Sequence, residues 1–241
     1  MPSRIPFALI LTAALAQAGS LAAQEAPAAR APKHFEYLRA DDFPADGILP
    51  APPARGSEVE KLELAYLHAL IADASPKRIE QARWDDAHED PAIFDQAVGT
   101  RLEKLPATWA LLRAVQGDAA LAATAAKAHF ARTRPWGVDP TLPNCDAGKG
   151  KQPTNSYPSG HSTLGYSVGL MLATLMPARA PMILDRARDY ALSREVCGVH
   201  FPSDTEASHV IASIAVARIL QDPTAAPRMA AARAELAAFD K

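Results

Sequence analysis

The run from Thr163 to Met176 is apolar on almost every side, yet it stops short of the roughly 18–20 uninterrupted apolar residues that a bilayer span requires. Such a segment is stable as a buried helix with other elements packed around it. The rest of the chain offers those elements at helical spacing. Ser57-x-x-Glu60 forms a capping box before Leu62, Leu64, Leu67 and Leu70, and Asp90-Pro91 opens another short helix. An alanine-rich stretch covers 107–132 and an amphipathic one 179–196. Ser203-x-x-Glu206 caps a run through Val210, Ile211, Ile214, Val216 and Ile219, which Arg218 interrupts. No alternating strand pattern of useful length occurs, and there is no internal repeat or second linker. These features predict an all-α fold, a single-domain helical bundle with its site in a cleft between helices.

Three blocks carry chemistry: Lys127 with Arg134 and Pro135, then Pro158-Ser159-Gly160-His161, then Ser193-Arg194 with His200 and Asp204. Phosphoryl transfer asks a protein mainly for positioning and for neutralisation of charge on the phosphoryl oxygens. Lys127, Arg134 and Arg194 suit that clamp, arginine through its planar fork and lysine as a point charge. Lys127 and Arg134 lie about two helical turns apart, which predicts that both project from one helix face before Pro135 stops the helix. Ser159 and Gly160 stand at a helix start, where backbone N–H groups and the helix dipole favour an anion. His200 and His161 are left for attack and proton transfer. Asp204, four residues after His200, can orient one ring nitrogen so that the other presents a lone pair, which makes His200 the nucleophile and His161 the general acid.

Competing readings of the same residues are weaker. A serine-hydrolase elbow at Ser159 would need glycine where Tyr157 stands. His200, Asp204 and His209 lack the flanking pattern of a zinc or calcium site, so no metal is expected. Gly148-Lys149-Gly150-Lys151 lacks the spacing of a phosphate loop and reads as a turn. Trp84, Trp109 and Trp136 read as packing residues, with Trp136, Tyr157 and Leu49 as candidates for an apolar substrate mouth.

Lys127-x6-Arg134-Pro135, Pro158-Ser159-Gly160-His161 and Ser193-Arg194-x5-His200-x3-Asp204 together resemble the three-part signature of the type 2 phosphatidic acid phosphatase superfamily, which includes the vanadium haloperoxidases. The likeness extends to the class A bacterial non-specific acid phosphatases. It does so through Asn155-Ser156-Tyr157-Pro158-Ser159-Gly160-His161-Ser162, the Cys145 and Cys197 pair, and the proline-rich segment from Leu49 to Ser57. This resemblance implies the helical bundle of the acid phosphatase and vanadium haloperoxidase type. It also implies a phosphohistidine on His200, leaving-group protonation by His161, support of His200 by Asp204, and phosphate oxygens held by Lys127, Arg134, Ser159, Gly160 and Arg194. Two positions depart from the class A pattern: Ser162 stands where threonine is expected and Trp136 where phenylalanine is frequent.

Arg4 followed by the apolar run Ile5 to Ala16 and small residues up to Ala23 reads as a signal peptide over 1–23. Residues 24–45 then read as an extended lead-in and 46–241 as the phosphatase domain. Removing 1–23 takes away only Arg4 among charged residues, leaving 24 basic against 27 acidic and a net charge of −3, which favours neither nucleic acid nor an anionic membrane as partner. In an oxidising compartment the two cysteines read as a Cys145–Cys197 disulfide closing about 53 residues, worth roughly 4 kcal/mol in the chain-entropy picture. The alternative is two buried free thiols. The expected function is a periplasmic, cofactor-free acid phosphatase that hydrolyses a broad range of small phosphomonoesters, inhibited by vanadate, with a homo-oligomer left open. A vanadium-dependent haloperoxidase and a non-catalytic phosphate or nucleotide binding protein are the alternatives. Chain length and the class A flanking sequence argue against the first, and the oriented His200–Asp204 pair against the second.

Overall fold

Glycines and alanines decide how closely the helices approach. The computed structural model describes residues 34–44, 47–145 and 153–240. Their α-helices are α1 (Glu58–Asp73), α2 (Pro76–Ala87), α3 (Asp95–Val98), α4 (Pro106–Phe130), α5 (Pro135–Val138), α6 (Gly160–Leu175), α7 (Ala180–Val196), α8 (Pro202–Gln221) and α9 (Ala226–Leu236). Among the described residues there is no strand, and no helix is long and apolar enough to cross a membrane. The expected signal peptide, residues 24–33 and 45 of the lead-in, and the Gly148–Lys151 turn lie outside the described residues.

The apolar run that predicted a central helix becomes α6, which packs against α4, α7 and α8. Leu164, Val168, Met171, Leu172 and Leu175 of α6 are buried. A Cβ on Gly165 would lie 2.8 Å from the Tyr190 ring of α7, and one on Gly169 would lie 2.9 Å from Ala187 Cβ and 3.2 Å from the Phe94 ring. Those distances are too short for a methyl group, so α6 and α7 are in contact through the glycine positions. Gly165→Ala should therefore cost about 1–3 kcal/mol by overpacking, measured as a lower urea midpoint. An unchanged midpoint would show that the two helices have room to spare.

Side chains cap the orphan N–H groups at several helix starts. Ser57 caps α1 by accepting from Glu60 N–H at 3.2 Å, while Glu60 accepts from Gly56 N–H at 2.7 Å. Ser75 with Pro76 starts α2, and Asp90 with Pro91 starts the 3-10 turn Pro91–Phe94. At the other end of the chain's described part, buried Asp118 of α4 accepts from the N–H groups of Glu36, Tyr37 and Leu38 at 2.7–3.0 Å. This anchors residues 34–44, whose Leu38 and Phe43 join the main core.

Three local expectations change. Leu62, counted with the apolar face of α1, is 69% exposed, whereas Leu67 is fully buried. The cap of α8 is at Phe201 rather than Ser203, because Pro202 begins the helix and the Asp204 carboxylate turns back to Phe201 N–H at 2.8 Å. Most consequentially, Lys127 and Arg134 are not on one helix. Ala131 adopts φ 45°, its N–H closes on the Lys127 carbonyl at 3.0 Å, and α4 ends there. Arg134 is extended backbone and N-caps α5, so Pro135 starts a helix instead of stopping one.

Candidate active site

Gly198 turns the chain out of α7 toward His200. Its φ is +63°, and a Cβ would lie 2.2 Å from the Pro143 carbonyl oxygen, so glycine is required. Alongside, the Cys145–Cys197 disulfide forms as expected, and Cys145 N–H donates to the Cys197 carbonyl at 2.9 Å. The loop so held presents His200, which is 1% exposed. Its Nδ1 is 3.4 Å from Asp204 Oδ2, and its Nε2 is 3.1 Å from Arg134 Nη1. A carboxylate accepts and a guanidinium donates, so Nδ1 carries the proton and Nε2 offers its lone pair. Burial, reinforced by the charges of Arg134, Lys127, Arg194 and His161, holds His200 well below the usual imidazole range.

Asp204 is fully buried and is bound more closely to its other partners than to His200. Arg132 Nη1 donates to Oδ1 at 2.7 Å, and Ser156 Oγ donates to Oδ2 at 2.5 Å. Arg132 in turn donates from Nη2 to Glu63 Oε2 at 2.9 Å and lies 3.9 Å over the Phe201 ring. Glu63 accepts from Ser203 N–H at 2.7 Å, which ties α1 to the start of α8. Burial pushes the Asp204 carboxyl up; Arg132, Ser156 and the Phe201 N–H work against it.

The cations converge from three elements: Lys127 from the last turn of α4, Arg134 from the cap of α5, Arg194 from the last turn of α7. Lys127 Nζ donates to the Asn155 carbonyl at 2.7 Å. Burial, then repulsion from Arg134, lowers Lys127 to about 7. Arg194 is 2% exposed and pairs with Asp86 at 2.6 Å. Ser159 N-caps α6, but its backbone N–H is taken by the Asp204 carbonyl at 3.2 Å, so it does not point at a ligand as expected. Its Oγ accepts from Ser162 N–H and Ser162 Oγ, which leaves the Ser159 hydroxyl proton to donate. A Cβ on Gly160 would meet Lys127 Cε at 4.0 Å, so the open side of this helix start faces the lysine.

His161, in the first turn of α6, has its Nδ1 2.9 Å from Glu89 Oε1 and its Nε2 3.2 Å from the Asp86 carbonyl. Both partners are acceptors, so a protonated ring satisfies both. Burial and then Arg194 oppose that charge and lower His161 below its ordinary value. Ser193 of the third block has a structural role. It donates to buried Asp85, which also binds Arg186, and so fastens α7 to α2.

The PAP2 superfamily sequence model matches residues 107–227, just over half of the chain, and all eight predicted catalytic and phosphate-binding residues fall inside it. The chain belongs to the PAP2 superfamily. Within that superfamily it is similar to an acid phosphatase of Zymomonas mobilis subsp. mobilis, 44% identical over 46% of this chain and 42% of that protein. The match thus spans less than half the length of the Zymomonas protein. It is also similar to non-specific acid phosphatases of Providencia stuartii, 30% identical over 80% of this chain and 81% of that protein, and of Salmonella typhimurium, 29% identical over 78% of each.

Beyond the PAP2 signature, the sequence reading missed Arg132, Glu63, Ser156, Asp86 and Glu89. Glu63, Asp86 and Glu89 precede the PAP2 match, and nothing in the sequence marks them off from surface helix carboxylates. The apolar mouth is also corrected at Leu49 and Tyr157. Leu49 is 6% and Tyr157 2% exposed, both in the main core, and Tyr157 donates to the Pro50 carbonyl at 2.8 Å. Trp136 packs with Val196, Cys197 and Val199 beside the disulfide. Trp84, read as packing, is 43% exposed and stacks on His88 with ring centroids 3.9 Å apart.

Proposed function

We propose that this chain is an acid phosphatase that hydrolyses a broad range of phosphomonoesters through a phosphohistidine on His200. The observation that carries this reading is the position of His200 Nε2, a lone pair directed into a cluster of Lys127, Arg134 and Arg194 while Nδ1 faces Asp204. In the first step Nε2 attacks phosphorus, the ester P–O bond breaks, and His161 gives its proton to the departing oxygen. In the second, His161 takes a proton from water, whose oxygen attacks phosphorus as the P–N bond to His200 breaks, releasing phosphate. The three cations and the Ser159 hydroxyl hold the phosphoryl oxygens throughout. None of these steps calls on a metal or cofactor, and vanadate, which mimics the five-coordinate state, should inhibit.

Export to the periplasm is part of the same proposal, supported by the signal-like 1–23 segment and by the disulfide. The lead-in of residues 24–45 would then be followed by the phosphatase domain over 46–241.

The pH dependence follows from two opposite requirements. His200 must be neutral to attack, so activity is lost as pH falls through its value, well below 6.5. His161 must be protonated, so activity is lost as pH rises through its value, itself lowered from 6.5. Above about 7 Lys127 also loses its charge and phosphate binding weakens. The expected kcat/KM profile is a bell centred on the acid side. Steady hydrolysis of p-nitrophenyl phosphate in chelator, such a bell with glycerol phosphate, and no halide oxidation after vanadate loading are the expected results. An alkaline maximum, or halide oxidation, would overturn the reading.

A further inference from the structure

His161 has a carboxylate beside it that no motif marks. We propose that Glu89 is a positioning residue for proton delivery, its carboxylate holding the proton on Nδ1 of His161 until the leaving group takes it. This rests on His161 being the general acid.

The geometry is built rather than incidental. Glu89 follows α2 by two residues, and the backbone around it is clamped from both sides. Gln116 of α4 donates to the Glu89 carbonyl at 2.9 Å, and Tyr190 of α7 donates from its hydroxyl to the His88 carbonyl at 2.6 Å. The same Tyr190 ring stacks on His161, with centroids 6.0 Å apart and planes at 28°. One buried tyrosine thus orients the imidazole and fixes the segment that carries its partner. Glu89 Oε1 then sits 2.9 Å from Nδ1, its side chain 61% exposed while that of His161 is 15% exposed.

The other groups facing His161 make this carboxylate matter. From α7, Arg194 repels a charged imidazole, and Tyr190 offers a ring face. From the end of α2, Asp86 directs its carboxylate to Arg194 at 2.6 Å and gives His161 its main-chain carbonyl. His200 is held neutral and adds no compensating negative charge. Glu89 is therefore the anion that opposes burial and Arg194 at this ring.

The test is Glu89→Gln, which preserves shape and removes charge from a largely exposed side chain, assayed across the acid range with glycerol phosphate and with p-nitrophenyl phosphate. The falling limb of kcat/KM should move to lower pH. The loss on the alkyl phosphate at about pH 6 should be about two- to fivefold, the range of a partly solvated ion pair, with little loss on the aryl phosphate or at the acid end. A falling limb that stays in place overturns this role for Glu89. His161→Ala, run in parallel, separates the two ideas. A larger loss on the alkyl than on the aryl substrate leaves the general-acid reading standing, whereas equal losses remove it and the role of Glu89 with it.

Discussion

His200→Ala should reduce turnover on the order of 10⁴-fold or more while phosphate and vanadate still bind. The nucleophile is the one group in the cleft whose loss removes a bond-forming step instead of weakening a contact. Lys127, Arg134 and Arg194 arrive from three separate elements, and Arg134, which meets the imidazole at 3.1 Å, also donates to the Val199 carbonyl at 2.9 Å. The alanine variant should therefore keep an intact anion site, read as vanadate or phosphate protecting it against thermal unfolding. Turnover within tenfold of the parent protein would move the nucleophile elsewhere.

Arg132→Ala should be the most damaging substitution for stability near the site. It would leave fully buried Asp204 and partly buried Glu63 with their bridging cation gone, and breaking a buried pair from one side costs about 3–5 kcal/mol. In a domain of this size that corresponds to a fall in Tm of roughly 6–20 °C. Arg132→Lys should recover part of it, since an ammonium keeps the charge but cannot reproduce the fork that reaches Asp204 at 2.7 Å and Glu63 at 2.9 Å together. A Tm unchanged in the alanine variant would show that the network does not hold α1, α8 and the His200 loop together.

The central helix was readable because a run apolar on all sides and too short for a membrane has one stable environment, the middle of a bundle, and Thr163 to Leu175 fall in α6 with Met176 as its C-cap. That His200, Asp204 and the three cations meet was readable because their residue types and spacing suit one chemistry, the proposed phosphoryl transfer. The spacing of Lys127 and Arg134 misled for a physical reason. An alanine at φ 45° is uncommon, and Ala131 sits in a stretch of strong helix formers, so nothing local announces the break. The cap of α8 was misplaced because Ser203 and Asp204 both suit a helix start, and Pro202 together with the reach of Asp204 back to Phe201 N–H decides between them. Arg132 and Glu63 were invisible because the pairing spans 69 residues and each alone looks like a surface charge. Glu89 was invisible for the same reason, since its meaning comes from Tyr190 and Gln116 on distant helices.

Trapping the covalent intermediate tests the phosphohistidine most directly. Protein quenched in alkali during turnover of a labelled phosphomonoester should carry phosphate on the peptide containing His200, stable in base and lost in acid. Protein that carries no label there, or carries acid-stable phosphate on a serine, would contradict attack by His200.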